Sequence, residues 1–236
     1  MKSNNIQHRT NDISRGQAAL IAATVLLLMA ILAPIANFTI VQNLIVPDDP
    51  GKTFSNVVAS QDSFRLGILG FMIVVILDII AAWALYVFLR PVHKSISLLT
   101  AWLRLVYAAM LGVVSIFLIN VLQLAGGAPH LSAFEPAQLH SQVLISFERF
   151  NLGWEFALIV FGFHLFGLGY LLIKAGYMRT ILGILVILAS LGYIIDGVGK
   201  LVSPNYNITV SVFTFVGEVI LIFWLLIKGR RVQGEN

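Results

Sequence analysis

The stretch from Phe161 to Asp196 constrains the fold of this chain more than any other. It consists of two apolar runs joined by a short basic turn. Each run is long enough to cross a bilayer, which takes about 20 residues of α-helix. Lys174 and Arg179 lie in the turn and predict that it is cytoplasmic, because positive charge is retained on that side. The pattern is typical of a transmembrane helical hairpin.

The composition extends this interpretation to the whole chain. Of its residues 58% are hydrophobic and 11% are charged, whereas about 25% are charged in soluble domains. There is no cysteine, which excludes disulfides, thiolate metal sites and thiol catalysis. The formal net charge of +4 arises at helix ends, where membrane topology accounts for it. We therefore expect a lipid bilayer as the surrounding partner and no nucleic acid.

The apolar runs predict an all-α membrane protein, a polytopic six-helix transmembrane bundle that forms one domain over residues 18–227. Residues 1–17 and 228–236 are expected to be cytoplasmic tails. A cleaved signal peptide is the alternative for the first run, but the run continues past Pro34 without a good cleavage site. We expect a retained helix, weakened at Pro34 and Asn37. The six predicted spans are residues 18–42, 64–89, 97–124, 150–174, 178–201 and 207–227.

Two of the outer connections are predicted to contain helix. In the first, Thr53 is expected to cap a short interfacial helix that runs through Ser60. In the second, apolar residues recur at helical spacing after Pro136. That spacing predicts an amphipathic helix on the outer surface, leading into the fourth span.

The distribution of Lys and Arg predicts the orientation of the bundle. With six spans and both termini in the cytoplasm, the inner side carries ten of the fifteen basic residues and the outer side carries four, while Arg104 lies within a span. This bias favours cytoplasmic N and C termini. The inner residues are Lys2, Arg9, Arg15, Arg90, Lys94, Lys174, Arg179, Lys228, Arg230 and Arg231, and the outer ones are Lys52, Arg65, Arg149 and Lys200.

Asp78 and Arg104 lie inside the second and third predicted spans. A charge at a helix centre costs about 2.5–3.5 kcal/mol on the insertion scale, so such groups face the bundle interior. Counted from the inner ends of the two spans, their depths differ by about 6 Å at 1.5 Å per residue, which is within reach of an arginine. We predict an ion pair, which either holds the helices in register or takes part in a substrate or proton site.

Three further charges lie towards the outer ends of the spans. Asp196 and Lys200 are four residues apart on one helical face, which predicts an intrahelical ion pair. Glu155 shares a face with glycines and is expected to point inward. Arg65 and Arg149 enter at the same level, where we expect them to neutralise these carboxylates or to recruit an anionic ligand.

Glu218 and His164 are polar residues at mid-depth. Glu218 has no partner on its own helix and is the best single candidate for proton exchange or substrate binding. The alternative is a neutral acid hydrogen-bonded to a neighbouring helix. His164 lies on the helical face opposite Glu155 and has no predicted partner. His130 and His140 lie in an outer loop without a ligand pattern, so neither a metal site nor a cofactor is predicted.

Motifs spread over nearly the whole chain point to a known family. They are Val46–Pro50, Thr53, Asn56, Phe64–Gly67, Asp78, Leu85–Tyr86, Arg90–Val92 and Leu103–Leu105, and they are densest in Phe161–His164, Leu168–Leu171, Leu182–Leu185 and Gly192–Asp196. In these motifs the chain resembles a bacterial integral-membrane family catalogued as domain of unknown function 4386. The turn at Met178 lacks the usual proline, which affects only turn geometry. The resemblance implies a bacterial plasma-membrane location and no assigned activity.

Three functions are compatible with these residues. The first is binding or transport of a small solute, proton-linked, through a polar site inside the bundle. The second is an intramembrane enzyme that acts on a lipid or isoprenoid with acids near the outer leaflet. The third is a non-catalytic membrane partner or sensor. No phosphate-binding loop, nucleophile elbow or HExxH motif is present, so no catalytic residue is assigned. The candidate substrate- or proton-binding residues are Glu218, Asp78, Arg104, Glu155, Asp196, Lys200 and His164.

Overall fold

A computed structural model describes residues 13–176, 178, 180–203 and 205–232, without the side chains of His130 and Arg230. Most of the predicted N-terminal tail, Arg179 in the cytoplasmic turn and residues 233–236 lie outside this description. Every regular element of the described residues is helical. The all-α prediction is confirmed.

Helix α1, Arg15–Pro34, begins at a capping box in which Ser14 accepts a hydrogen bond from the backbone of Gln17 at 3.2 Å. It continues directly into a π-helical turn, Ile35–Val41, and then into a short 3₁₀ turn that ends at Leu44. The first helix is therefore interrupted where the sequence predicts it to be weakened, at Pro34 and Asn37. The regular α-helix ends at the proline, and the π-helical turn that follows contains Asn37.

Helix α2, Pro50–Ala59, is the predicted short helix, but it begins differently. Asp49 caps it by accepting a 2.8 Å hydrogen bond from the backbone of Lys52. Thr53 instead exchanges hydrogen bonds with the backbone of Val46. The prediction of Thr53 as the cap was wrong, because the helix begins at a proline and its cap lies four residues earlier, at Asp49.

The middle of the chain forms two long helices and one helix that is interrupted. Helix α3 is Gln61–Leu89, while α4, Lys94–Val114, and α5, Ile116–Ala125, join at Ser115 into one nearly continuous rod. Helix α6, Pro136–Lys174, unites the predicted amphipathic helix and the fourth span without a break. Its 39 residues correspond to about 58 Å, nearly twice the roughly 30 Å of a hydrocarbon core.

Helix α7, Thr180–Val202, is followed by α8, Ser211–Thr214, by α9, Val216–Ile227, and by a short 3₁₀ turn, Gly229–Arg231. In the described chain, five helical segments are long and apolar enough to cross a membrane, the last of them being α7. The segment Ser211–Ile227 is apolar but shorter. The protein is thus a helical membrane protein, while the sixth span and the cytoplasmic termini stay predictions.

The long helices form a closed ring. Helices α1, α3, α4, α6, α7 and α9 each pack against the next in chain order, and α9 returns to pack against α1. Outside this order, α2 and α5 both pack against α6. The ring encloses a common interior, to which several helices contribute polar side chains.

Close backbone contact holds α6 and α7 together, the most extensive helix pair in the ring. A Cβ added at Gly169 would lie 2.7 Å from the carbonyl oxygen of Gly183, and one at Gly183 would lie 2.6 Å from that of Gly169. The two glycines therefore face each other across the interface. Small residues at such a contact let two helix backbones approach closely.

Candidate functional site

Arg104 and Asp78 form a buried ion pair between α4 and α3. The Nη2 atom of Arg104 lies 2.6 Å from Oδ1 of Asp78, and the two side chains are only 4% and 3% exposed. The helices run antiparallel across a tight turn in which His93 caps α4 by accepting a hydrogen bond from Ile96. That turn sets the register that brings the charges to one level. The predicted ion pair is confirmed.

His164 of α6 is a third member of this unit. Its Nδ1 lies 2.8 Å from the carbonyl oxygen of Thr100, and its Nε2 lies 3.1 Å from Nη1 of Arg104. A carbonyl only accepts and a guanidinium only donates, so Nδ1 carries the proton and Nε2 accepts. The imidazole is therefore neutral and fixed in one tautomer.

No partner was assigned to His164 from the sequence, and the two that it has lie 60 and 64 residues away along the chain. Within the described residues, no group of three or more metal-ligating side chains occurs that could hold a metal ion. The imidazole accordingly serves as a hydrogen-bond bridge between α4 and α6.

An aromatic cluster borders the charged unit, with Phe161 at its centre. The guanidinium carbon of Arg104 lies 5.4 Å from the Phe161 ring centroid, a distance suited to cation–π attraction. The ring centroids of Tyr107 and Tyr193 lie 4.8 Å and 5.3 Å from the same ring. Trp154 in turn donates a hydrogen bond to the hydroxyl of Tyr107 at 3.4 Å. Aromatic side chains from three helices thus line one side of Arg104.

Glu218 joins the cluster from the first turn of α9. Its carboxyl group lies within electrostatic range of Tyr193 on α7, of Arg104 and of Asp78. The residue as a whole is partly exposed, but its Oε1 atom has no access to solvent and no hydrogen-bond partner. The structure therefore brings the leading sequence candidate into the same interior as the ion pair.

Three buried polar atoms of the described residues have no hydrogen-bond partner, and they belong to three helices of the ring. They are Nε of Arg104 on α4, Oγ of Ser190 on α7 and Oε1 of Glu218 on α9. Burying a polar group without a partner costs about 1–3 kcal/mol. A fold that used these residues for packing alone would be expected to satisfy them, so the open positions mark a candidate binding site.

Asp196 lies outside this cluster, and both oxygens of its carboxylate accept hydrogen bonds. Its Oδ1 accepts hydrogen bonds from the Tyr206 hydroxyl and the Val210 amide, both at 2.8 Å, and its Oδ2 accepts one from the Ser211 amide at 2.7 Å. The carboxylate of α7 thus caps the start of α8 from another helix. The predicted ion pair between Asp196 and Lys200 was wrong, because backbone donors at this helix start take both carboxylate oxygens.

Lys200 forms its ion pair with Glu155 of α6 instead. The two side chains are 33% and 24% exposed, so Glu155 does not point into the interior as predicted. Arg65 and Arg149 are exposed, and among the described residues neither pairs with these carboxylates. The outer charges therefore join α7 to α6 and lie apart from the buried cluster.

One polar contact was missed from the sequence. The side-chain amide of Gln42 donates to Asn37 at 3.2 Å and to Asn151 at 2.7 Å. It ties the π-helical turn after α1 to α6. The two asparagines in apolar runs were a visible signal, but pairing them requires knowledge of how those helices pack.

Comparison with known proteins gives a family without an assigned chemistry. A family model described as Domain of unknown function (DUF4386) matches residues 21–229, a range that contains every residue of the buried cluster. An uncharacterized protein of Archaeoglobus fulgidus is 39% identical over 166 residues, which cover 70% of this chain and 85% of the relative. No solved structure matches the chain.

Proposed function

The chain belongs to the DUF4386 family, and on that premise we propose that it binds or transports a small solute inside the helical ring, linked to proton binding at Glu218. The observation that carries this proposal is the set of unpartnered buried atoms on Arg104, Ser190 and Glu218. Arg104 holds Asp78 through a different nitrogen, Nη2. A small polar molecule that enters the ring would find both donors and acceptors there.

The contacts within the cluster assign different roles to its charged members. Asp78 is bound to Arg104, and His164 is fixed as a neutral bridge. Glu218 alone among them has a carboxyl oxygen without a partner. It is therefore the group that exchanges a proton or meets the solute, while the other three hold the site in shape.

The outer charges take a structural role in this proposal. Asp196 is saturated by three donors, and Glu155 is paired with Lys200. Neither carboxylate is free to act as a general acid or base. The alternative of a lipid-directed enzyme, which depended on these acids, has no specific observation in its favour.

One observation favours a second candidate, a non-catalytic membrane partner or sensor. Arg104 contacts both Asp78 and His164 directly, as expected for groups that specify helix packing. This alternative predicts that neutralising Glu218 leaves ligand responses unchanged. The two candidates are thus separated by the behaviour of one carboxyl group.

We further propose that the protein lies in a bacterial plasma membrane with six crossings and both termini in the cytoplasm. The five long apolar segments support a membrane location. The family resemblance and the excess of basic residues on the inner connections support the finer assignment.

Thermal unfolding of the purified chain in the presence of small solutes tests the binding proposal. A panel of amines, carboxylates, sugars and amino acids is added to wild-type protein, to Glu218→Gln and to Glu148→Gln. The last is a matched control, because Glu148 is an exposed carboxylate on α6. At least one solute should raise Tm for wild type and the control, since a ligand that binds only the folded state stabilises it. Glu218→Gln should lose that shift.

Two outcomes would contradict the proposal. A panel that leaves the wild-type Tm unchanged would argue against solute binding. Equal shifts in Glu218→Gln would argue against a site at this carboxyl group and would favour the packing role.

A further inference from the structure

The charges of the buried cluster do not balance when Glu218 is ionised. Arg104 and Asp78 cancel each other at 2.6 Å, and His164 is neutral because its two nitrogens face a carbonyl and a guanidinium. An ionised Glu218 therefore leaves a net charge of −1. We infer that the site takes a small monovalent organic cation, a protonated amine, in exchange for a proton on Glu218. This inference rests on the proposed function and names its substrate class.

Within the described residues, the other basic side chains on or next to elements that pack against α9 lie near helix ends. They are Arg15 of α1, Lys200 of α7, and Lys228 and Arg231 beyond the end of α9. Lys200 is already paired with Glu155, and on α7 the titratable group within electrostatic range of Glu218 is Tyr193. Arg104 of α4 and Asp78 of α3 act on Glu218 from within the ring, and the former is already paired. Helix α1, which also packs against α9, has no titratable side chain between Gln17 and Leu44. Neutrality then requires a proton or a cationic ligand.

The charge balance of the interior favours a ligand of positive charge. An uncompensated charge away from water is unfavourable. A protonated amine removes that penalty by balancing Glu218, whereas a carboxylate ligand would bring the cluster to −2. A neutral ligand leaves the charge unchanged. The same carboxyl group therefore accepts a proton or an ammonium group, but not both.

Polar and aromatic side chains of α7 and α9 also suit an ammonium group. The free Oε1 of Glu218 and the free Oγ of Ser190 are both acceptors for N–H groups. Tyr193 lies within electrostatic range of Glu218 and packs edge-on against Phe161, at 5.3 Å between ring centroids. Aromatic faces attract cations, and Ser190 and Tyr193 are one turn apart on α7.

The exchange balances in charge and in protons. Before binding, the carboxyl group of Glu218 carries its proton and the cluster is neutral. The ammonium group enters with its own three protons, forms an ion pair with the carboxylate, and the Glu218 proton leaves to solution. The cluster is neutral in both states, so the interior holds no net charge at either end of the exchange.

Three ligands of similar shape but different charge test the assignment of a cationic ligand. Benzylamine is a cation at neutral pH, benzyl alcohol is neutral and benzoate is an anion. Calorimetric titration of the full chain in lipid nanodiscs, in two buffers of different ionisation enthalpy, gives both the affinity and the number of protons released. We expect benzylamine to bind at least about tenfold more tightly than the other two, with release of about one proton.

The Glu218→Gln variant should lose proton release and at least about tenfold in benzylamine affinity, whereas Glu148→Gln should match wild type. Glu218→Asp, which keeps the charge, guards against loss of folding and should retain proton release. Elution as a single species in size-exclusion chromatography identifies the folded variants.

Different experimental results would contradict the cation assignment, the proton exchange and the proposed function. Preference for benzoate or benzyl alcohol, lost in Glu218→Gln, would overturn the cation assignment and leave solute binding at Glu218 intact. Benzylamine binding that is unaffected in a folded Glu218→Gln would overturn the exchange. Absence of binding by all three ligands, together with an unresponsive solute panel, would overturn both this assignment and the proposed function.

Discussion

Arg104 lies 2.6 Å from Asp78 and 3.1 Å from His164, so one guanidinium group joins α4 to both of its neighbours in the ring. The carboxylate belongs to α3 and the imidazole to α6. Removing the guanidinium would leave a buried charge without compensation and a buried nitrogen without a donor. Arg104 is therefore the central structural residue of the interior.

Removing the charge of either Asp78 or Arg104 should lower the stability of the folded protein. We expect Asp78→Asn and Arg104→Gln each to destabilise the protein by about 3–5 kcal/mol, because each leaves the opposite charge buried alone. The swap of Asp78→Arg with Arg104→Asp should restore part of the folded yield, measured by fluorescence-detected size-exclusion chromatography. Asp62→Asn, at an exposed carboxylate on α3, is the control and should behave as wild type. A swap no better than the worse single variant would count against mutual compensation.

The two acidic residues in the outer region should differ in their effect on stability. Asp196→Ala removes the cap from the amides of Val210 and Ser211, and should cost about 0.5–2 kcal/mol. Glu155→Ala breaks a partly exposed pair with Lys200, and should cost about 0–1 kcal/mol. Hydrogen exchange provides the measurement, since the two amides should lose protection only in the first variant. Unchanged protection in Asp196→Ala would show that the cap is dispensable.

The α6–α7 contact should not tolerate a single added methyl group. Gly183→Ala places a Cβ 2.6 Å from the carbonyl oxygen of Gly169, and the resulting overpacking should cost about 1–3 kcal/mol. Gly112→Ala is the matched control, because its new Cβ would meet only Val75 at 3.9 Å. Thermal unfolding compares the two, and an equal Tm for both variants would refute close backbone packing.

The number of membrane crossings can be read from reporter fusions. The segment Ser211–Ile227 has 17 residues, or about 25 Å of helix, slightly less than a hydrocarbon core of roughly 30 Å. If it crosses, green fluorescent protein fused after residue 236 should fluoresce, and alkaline phosphatase fused there should be inactive. Fusions after residue 205 should give the reverse result. The same reporter outcome at both positions would show that this segment does not cross.

Sequence reasoning was most successful where a short connection fixed the geometry. Asp78 and Arg104 are joined by a tight turn, so counting residues from that turn gave their relative depth. It failed where several donors competed for one acceptor. The spacing of Asp196 and Lys200 is correct for an intrahelical pair, but the amides at the start of α8 are closer to the carboxylate in the folded chain.

The position of His164 shows a different limit. Its depth was evident from the sequence, but its contact with Arg104 depends on how α6 is rotated against α4. That rotation is set by side-chain packing between helices that are distant in the chain. The residue pattern of a single helix does not contain this information. The glycines were more informative, because Gly169 and Gly183 lie on a hairpin whose turn brings them together.

The closure of the ring by α9 against α1 has a consequence for biosynthesis. A ribosome delivers helices in chain order, so the bridge among α3, α4 and α6 is complete while α7 and α9 are still to be made. Glu218 therefore follows the bridge in the order of synthesis and joins it when α9 packs against α1. A chain whose synthesis stops before α9 would carry the balanced Asp78–Arg104 pair but not the carboxyl group on which the proposed solute binding depends.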